Sequence, residues 1–138
     1  METQPTIIEF KDCPYLDGEK KVEVYPLNKD SIEENIPDGI QPANYRIGRL
    51  SNLGYSVIYV GRVDNRQDRG LKDRMIEHLD DFEGDCYFEW NESASILDAY
   101  KKECKDYHYW SSFGTLENSI HPRKPNSSIF TICPICGQ

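Results

Sequence analysis

Two short runs, Asn44–Leu50 (NYRIGRL) and Tyr55–Val60 (YSVIYV), flank the turn segment Ser51-Asn-Leu-Gly54. The first alternates apolar and polar side chains, as a half-buried strand does. The second is almost wholly aromatic or β-branched, as a well-buried strand is. So short a turn joins antiparallel neighbours, so the segment predicts a β-hairpin, and the rest of the chain must be arranged around it.

Downstream, Gly61 is expected to let the chain leave the sheet, and residues 64–70 form a polar loop. Residues 71–79 (LKDRMIEHL) carry Leu71, Met75, Ile76 and Leu79 at helical spacing. Residues 86–90 (CYFEW) predict a third strand. Asn91-Glu-Ser93 then starts a helix over about 94–109, with Ile96, Leu97, Tyr100 and Tyr107 as its buried stripe. Upstream, residues 6–10 and 21–27 read as strands around a CPYLDG turn. Ser31-Ile-Glu-Glu34 has capping-box spacing for a short helix that Pro37-Asp-Gly39 ends. The fold class expected is α/β (α+β), with a small three-stranded, mainly antiparallel sheet flanked by helices. Residues 1–40 form an acidic N-terminal appendage, 41–126 the main domain, and 127–138 a C-terminal tail packed on it. A length of 138 residues fits one such domain.

With 29% charged and 38% hydrophobic residues the chain reads as globular rather than disordered. No apolar run approaches the roughly 18 residues a membrane span needs. The N-terminus lacks a basic start followed by an apolar stretch, so no signal peptide and a cytoplasmic location are expected. The net charge of −8 argues against a nucleic-acid partner until its distribution is considered. Residues 1–38 hold ten acidic and four basic side chains. Residues 46–74 hold Arg46, Arg49, Arg62, Arg66, Arg69, Lys72 and Arg74 against three aspartates. An arginine-rich zone of this kind suits phosphate, and Arg46, Arg49, Arg62, Arg66, Arg69 and Lys72 are its candidate nucleic-acid contacts. The acidic N-terminal part is a candidate protein-binding face.

Five cysteines without a signal peptide suggest metal binding or burial, not a disulfide framework. Cys133-Pro-Ile-Cys136-Gly has the spacing of a zinc knuckle, and Cys104 and His108 lie four apart, on one helix face. Together they make a closed Cys₃His set, with Cys13 or His121 able to replace one ligand. Cys86 reads as a buried strand residue.

The order hairpin, helix, strand, helix carries Ala43-Asn-Tyr45 in the first strand and Tyr59-Val-Gly61 in the second. Arg74 and His78 share a helix face, and Glu103 lies in the later helix. Residues 43–109 resemble the GIY-YIG nuclease domain. Ala43-Asn-Tyr45 stands at its first tripeptide, Tyr59-Val-Gly61 at its second, Leu71–Leu79 at its Arg-x-x-x-His helix and Ser95–Glu103 at its metal-binding helix. The resemblance implies a metal-dependent endonuclease acting on DNA or a related nucleic acid. Glu103 would bind Mg²⁺ or Mn²⁺, a hard cation suited to carboxylate. Tyr45 would be the general base, Tyr59 would orient water or phosphate, Arg74 would stabilise transition-state charge, and His78 would donate to phosphate or relay a proton. Asn126, or Asn118, would supply the family's loop asparagine. Some bacterial proteins of this kind resemble the chain again at Glu103-Cys-Lys-Asp-Tyr-His108, His121-Pro-Arg-Lys-Pro125 and Cys133-Pro-Ile-Cys136, which implies structural Zn²⁺. The competing expectation is an inactive module of the same fold that only binds nucleic acid or protein.

Overall fold

A computed structural model describes residues 6–9, 21–51, 54–64, 70–82, 86–114, 116–118, 120–125 and 131–138. Cys13, Arg66, Arg69 and Asn126 lie outside the described residues, as does the CPYLDG turn. The elements are β1 (Thr6–Glu9), β2 (Lys21–Pro26), α1 (Lys29–Asn35), β3 (Ala43–Ser51), β4 (Gly54–Val63), α2 (Leu71–His78), β5 (Cys86–Glu92) and α3 (Ile96–Ser111). No helix among the described residues is long and apolar enough to cross a membrane.

The hairpin is β3–β4, and β3 also pairs antiparallel with β5, so it is an interior strand. The α+β class is as expected, but the sheet has four antiparallel strands rather than three. Tyr25 and Pro26 of β2 pair with Phe88 and Tyr87 of β5, and Leu27 N–H donates to Cys86 O at 2.8 Å. β1 adds to the far side of β2, which extends the order to β1-β2-β5-β3-β4.

Interior position explains the burial of β3 on both faces. One face sends Ala43, Tyr45 and Ile47 into a core shared with Ile32 and Ile36 beside α1, Leu71 and Met75 of α2, and Phe88 of β5. The other face lies under α3. There Asn44 Nδ2 donates to Ala99 O at 2.8 Å, and Arg46 Nη1 donates to Asp106 Oδ1 at 3.3 Å. A register shift between Ile47 and Gly48 leaves Ile58 unopposed. This bulge changes the parity of β4, so Val57 and Val60 both join Trp110 of α3 in a second cluster.

Several boundaries differ from expectation. β4 does not end at Gly61 but runs to Val63. α1 is capped by Asn28, whose side chain accepts from Ser31 N–H at 2.8 Å, so Ser31 lies inside the helix instead of capping it. Asn91 and Glu92 stay in β5, paired with Asn44 and Ala43, and α3 starts after Ser95, whose Oγ accepts from Asp98 N–H. Its fully buried stripe is Ala99, Tyr100, Cys104, Asp106 and Trp110. Leu97 is exposed, and Asp106 takes an interior place because it pairs with Arg46 and Lys102. Beyond α3 the chain returns along β4. Glu117 N–H donates to Ile58 O, and the Asn118 side chain both donates to Val60 O (2.8 Å) and accepts from Val60 N–H (2.9 Å).

Candidate active site and metal centre

Tyr45, Tyr59, Arg74 and Glu103 come from β3, β4, α2 and α3, and they line one open cleft of about 590 Å³. Gly61, Arg62, Asp64, Arg123 and Lys124 line it too. Gly61 is the position that lets the two faces of the sheet meet there. It is the cross-strand partner of Tyr45, and a Cβ on it would overlap the Tyr45 ring. Without a side chain at 61, the ring crosses β4 and lies beside Tyr59, the ring centroids 6.2 Å apart.

Behind the ring is a relay. Tyr45 Oη lies 2.7 Å from His78 Nε2, and His78 Nδ1 lies 3.3 Å from Asp81 Oδ2. Burial pulls the His78 pKa below its ordinary 6.5, with Asp81 opposing, so the ring is neutral near pH 7. A neutral ring that donates from Nδ1 to Asp81 leaves Nε2 to accept the Tyr45 phenol proton. Burial pushes the Tyr45 pKa well above 10 and Tyr59 adds to the rise, while Arg74 pulls the other way. Tyr45 is therefore a neutral phenol at rest. Arg74 Nε is buried with no hydrogen-bond partner among the described residues.

On the α3 side, Arg62 Nη1 donates to Glu103 Oε1 at 2.5 Å, Nε to Asp64 Oδ1 at 2.8 Å, and Nη2 to the backbone oxygen of Arg123 at 2.6 Å. Its guanidinium also lies 5.2 Å from the centre of the Tyr100 ring. Burial raises the Glu103 pKa to about 7, with Arg62 opposing the rise. The cleft lining thus carries four cations (Arg62, Arg74, Arg123 and Lys124) against two carboxylates (Glu103 and Asp64), a balance that favours an anionic ligand.

A second constellation lies at the chain's end. One ligand atom each from His108, His121, Cys133 and Cys136 falls within 4.8 Å of the others. His121 Nε2 is 3.2 Å from His108 Nε2 and 3.5 Å from Cys136 Sγ. Tetrahedral zinc, with Zn–N about 2.0–2.1 Å and Zn–S about 2.3 Å, puts such donors about 3.3 and 3.6 Å apart. His121 Nδ1 lies 2.9 Å from Pro122 O, which places its proton there and leaves Nε2 free to bind. Ile135 N–H donates to Cys133 Sγ at 3.4 Å, and Gly137 closes the turn at φ 77°. Backbone N–H groups of Cys136 and Ile135 and the His121 side chain outweigh burial and hold the Cys133 thiol below its ordinary range, toward the thiolate that metals bind. The cluster can therefore hold a metal such as zinc. Its ligand set corrects the expected one: His121 replaces Cys104. Cys104 is fully buried, packed with Tyr100 and Cys133, and burial pushes its thiol up to about 12.

No family model, curated protein or solved structure matches the chain.

The arginine-rich zone divides once the fold is known. Arg62 and Arg74 line the cleft. Arg46 is 5% exposed and does not reach solvent, because it is clamped between Glu89 and Asp106. Arg49 lies four residues along β3 from Tyr45 and is not part of the cleft lining. Lys72, at the start of α2, pairs with Asp38 at 2.8 Å. Asn118 spends both ends of its amide on Val60 and does not line the cleft. Four contributors escaped the sequence reading as site residues: Asp64, Asp81, Arg123 and Lys124. The sequence signal for the last two was the adjacent pair of cations between two prolines in Pro122-Arg-Lys-Pro125; both prolines are buried and both cations exposed.

Proposed function

We propose that the protein is a metal-dependent phosphodiesterase of the GIY-YIG kind that cleaves DNA or a related nucleic acid. The observation that supports this most is the meeting of Tyr45, Tyr59, Arg74 and Glu103, drawn from four elements, in one cleft with excess positive charge.

In the reaction, His78 Nε2 takes the Tyr45 phenol proton, and Asp81 steadies the imidazolium that forms. The Tyr45 oxygen in turn takes a proton from the attacking water. The water oxygen bonds to phosphorus, the bond from phosphorus to the leaving oxygen breaks, and the departing alkoxide takes a proton from solvent, to which His78 gives up its own, restoring the resting state. Arg74 sits where it stabilises both the phenolate and the charge building on the phosphoryl oxygens. Tyr59, beside Tyr45, orients the water or the phosphate. Glu103 offers the carboxylate oxygen that Mg²⁺ or Mn²⁺ accepts, in a cleft roomy enough for an ion that keeps several waters. A bound divalent ion supplies Lewis-acid polarisation of the phosphate and charge relief for the leaving oxygen. Arg62 Nη1 holds Glu103 Oε1, so an ion bound at that oxygen would displace Arg62. We assign the His108–His121–Cys133–Cys136 centre to zinc in a structural role, because four protein donors leave no position for substrate.

The test is cleavage of labelled supercoiled, linear, single-stranded and branched DNA with Mg²⁺ or Mn²⁺, beside Glu103→Ala. Cutting by the parent alone supports the proposal. Equal cutting by the variant removes Glu103 from the chemistry. One observation favours a second reading, a module that binds nucleic acid without cutting it. The Arg62 contact already neutralises Glu103. Folded, zinc-loaded protein that binds DNA but cuts none of these substrates would establish that second reading.

A further inference from the structure

The zinc centre and the cleft are joined by a very short piece of chain. His121 is one of the four side chains that could hold a metal, and Arg123 and Lys124, two and three residues later, line the cleft. At roughly 3.5 Å per residue the intervening backbone has almost no slack. Pro122 and Pro125 are buried on either side of the two exposed cations, so the segment is stiff as well as short. Its other anchor is Arg62, whose Nη2 donates to the backbone oxygen of Arg123 while its Nη1 holds Glu103. The centre's remaining ligands come from α3 (His108) and from the C-terminal turn (Cys133 and Cys136). No helix or strand holds residues 121–125. Besides the two buried prolines, their position relative to α3 rests on that arginine, on the His121 ring packed edge-on against Tyr107 of α3 (centroids 5.6 Å apart), and on the metal that would tie His121 to His108.

We infer that the metal centre sets the nucleic-acid-binding edge of the cleft: the ion, by fixing His121 against α3, holds Arg123 and Lys124 as a two-cation clamp for a phosphate backbone. The clamp is set by the metal, and its two side chains line the same cleft as Tyr45 and Glu103. Metal removal should weaken binding of a phosphate chain through these two side chains. The identity of the ligand rests on the reading above, whereas the coupling of metal to segment does not.

Two measurements on the full chain test this, both without Mg²⁺. The first is fluorescence anisotropy of a fluorescein-labelled 20-nucleotide oligothymidine with zinc-loaded and chelator-stripped protein. Each backbone cation lost from single-stranded DNA lowers the salt slope by about 0.7. Losing both costs roughly ten- to fifty-fold in affinity at 50 mM salt. Stripping the parent should cost that much, Arg123→Ala with Lys124→Ala should cost the same, and stripping the double variant should add nothing. An equal loss on stripping parent and double variant would overturn the inference. To separate this effect from loss of fold on stripping, a Gly-Gly insertion between Pro122 and Arg123 keeps all four ligands while breaking the register. It should hold one zinc and bind as weakly as the double variant, and unchanged affinity would overturn the inference. The second measurement is tryptic cleavage of the Arg123–Lys124 bond, read by mass spectrometry; the Lys124–Pro125 bond resists trypsin and does not confuse it. The bond should be protected about tenfold or more with zinc bound, and equal rates with and without zinc would overturn the coupling. If loaded parent binds no oligonucleotide at all, the nucleic-acid reading fails, and the tryptic result alone decides the coupling.

Discussion

The Arg62 guanidinium bridges two carboxylates of the cleft, 2.5 Å from Glu103 Oε1 and 2.8 Å from Asp64 Oδ1. A divalent ion held by Glu103 as proposed would compete with this arginine for the carboxylate. Arg62→Gln should raise Mn²⁺ affinity in the cleft about tenfold, the equivalent of one charged hydrogen bond removed. Titration calorimetry reads this directly, and equal or weaker Mn²⁺ binding by the variant would count against competition.

The raised Glu103 pKa has a sign that can be checked. With a folded value near 7 and an ordinary value of 4.5, the folded state holds this proton where the unfolded chain has released it. Stability should then fall as pH rises from about 4.5 to 7, by up to about 3 kcal/mol. Glu103→Gln removes that slope. The difference between parent and variant in urea denaturation at pH 5 and pH 8, both zinc-saturated, isolates it. Over the same interval Mn²⁺ affinity should rise with pH, because only the carboxylate binds.

Gly61→Ala should behave as an active-site substitution although it changes no polar group. Its methyl displaces the Tyr45 ring, costing about 1–3 kcal/mol of stability and moving the phenol away from His78. Tyr45→Phe should keep the fold and lower cleavage by about 10²–10⁴. An alanine variant that cuts at the parental rate would show that ring placement does not matter.

Arg46→Ala should cost about 3–5 kcal/mol in denaturation, since it leaves Glu89 buried without its cation and Asp106 with only Lys102. It should leave the salt slope of DNA binding unchanged, unlike substitutions at Arg123 and Lys124. A reduced slope would put Arg46 back among the phosphate contacts.

The corrected ligand set separates two cysteines. Cys104→Ala should retain one zinc per chain, whereas Cys136→Ser and His121→Ala should lose it and lower the thermal midpoint by roughly 10 °C or more. Metal content by mass spectrometry decides between this set and the Cys104 alternative.

The hairpin and the Arg74–His78 helix were legible because short-range periodicity carries them, whereas the meeting of Tyr45 with Glu103 was implied only by the resemblance to a known nuclease domain. β2 was not placed in the sheet, because two paired residues, Tyr25 and Pro26, hold it to β5 across a long separation in sequence. Arg46 misled for a different reason. On an alternating strand a charged position signals solvent, but here α3 covers that face and brings Asp106 to meet the charge. The helix-face argument chose Cys104 beside His108, and Cys104 does neighbour the centre. It turns under Tyr100 instead, and the ligand comes from His121 on a loop, where no periodicity marks it.

The two hydrogen bonds between the Asn118 amide and Val60 have a consequence for how molecules of this protein meet one another. β4 is an outer strand, and its free main-chain groups would otherwise be a template for a strand from a neighbouring chain. One side-chain amide imitates that neighbour at Val60, and Glu117 does the same at Ile58. At these positions the sheet is closed to edge-to-edge growth, so the loop after α3 guards against self-association.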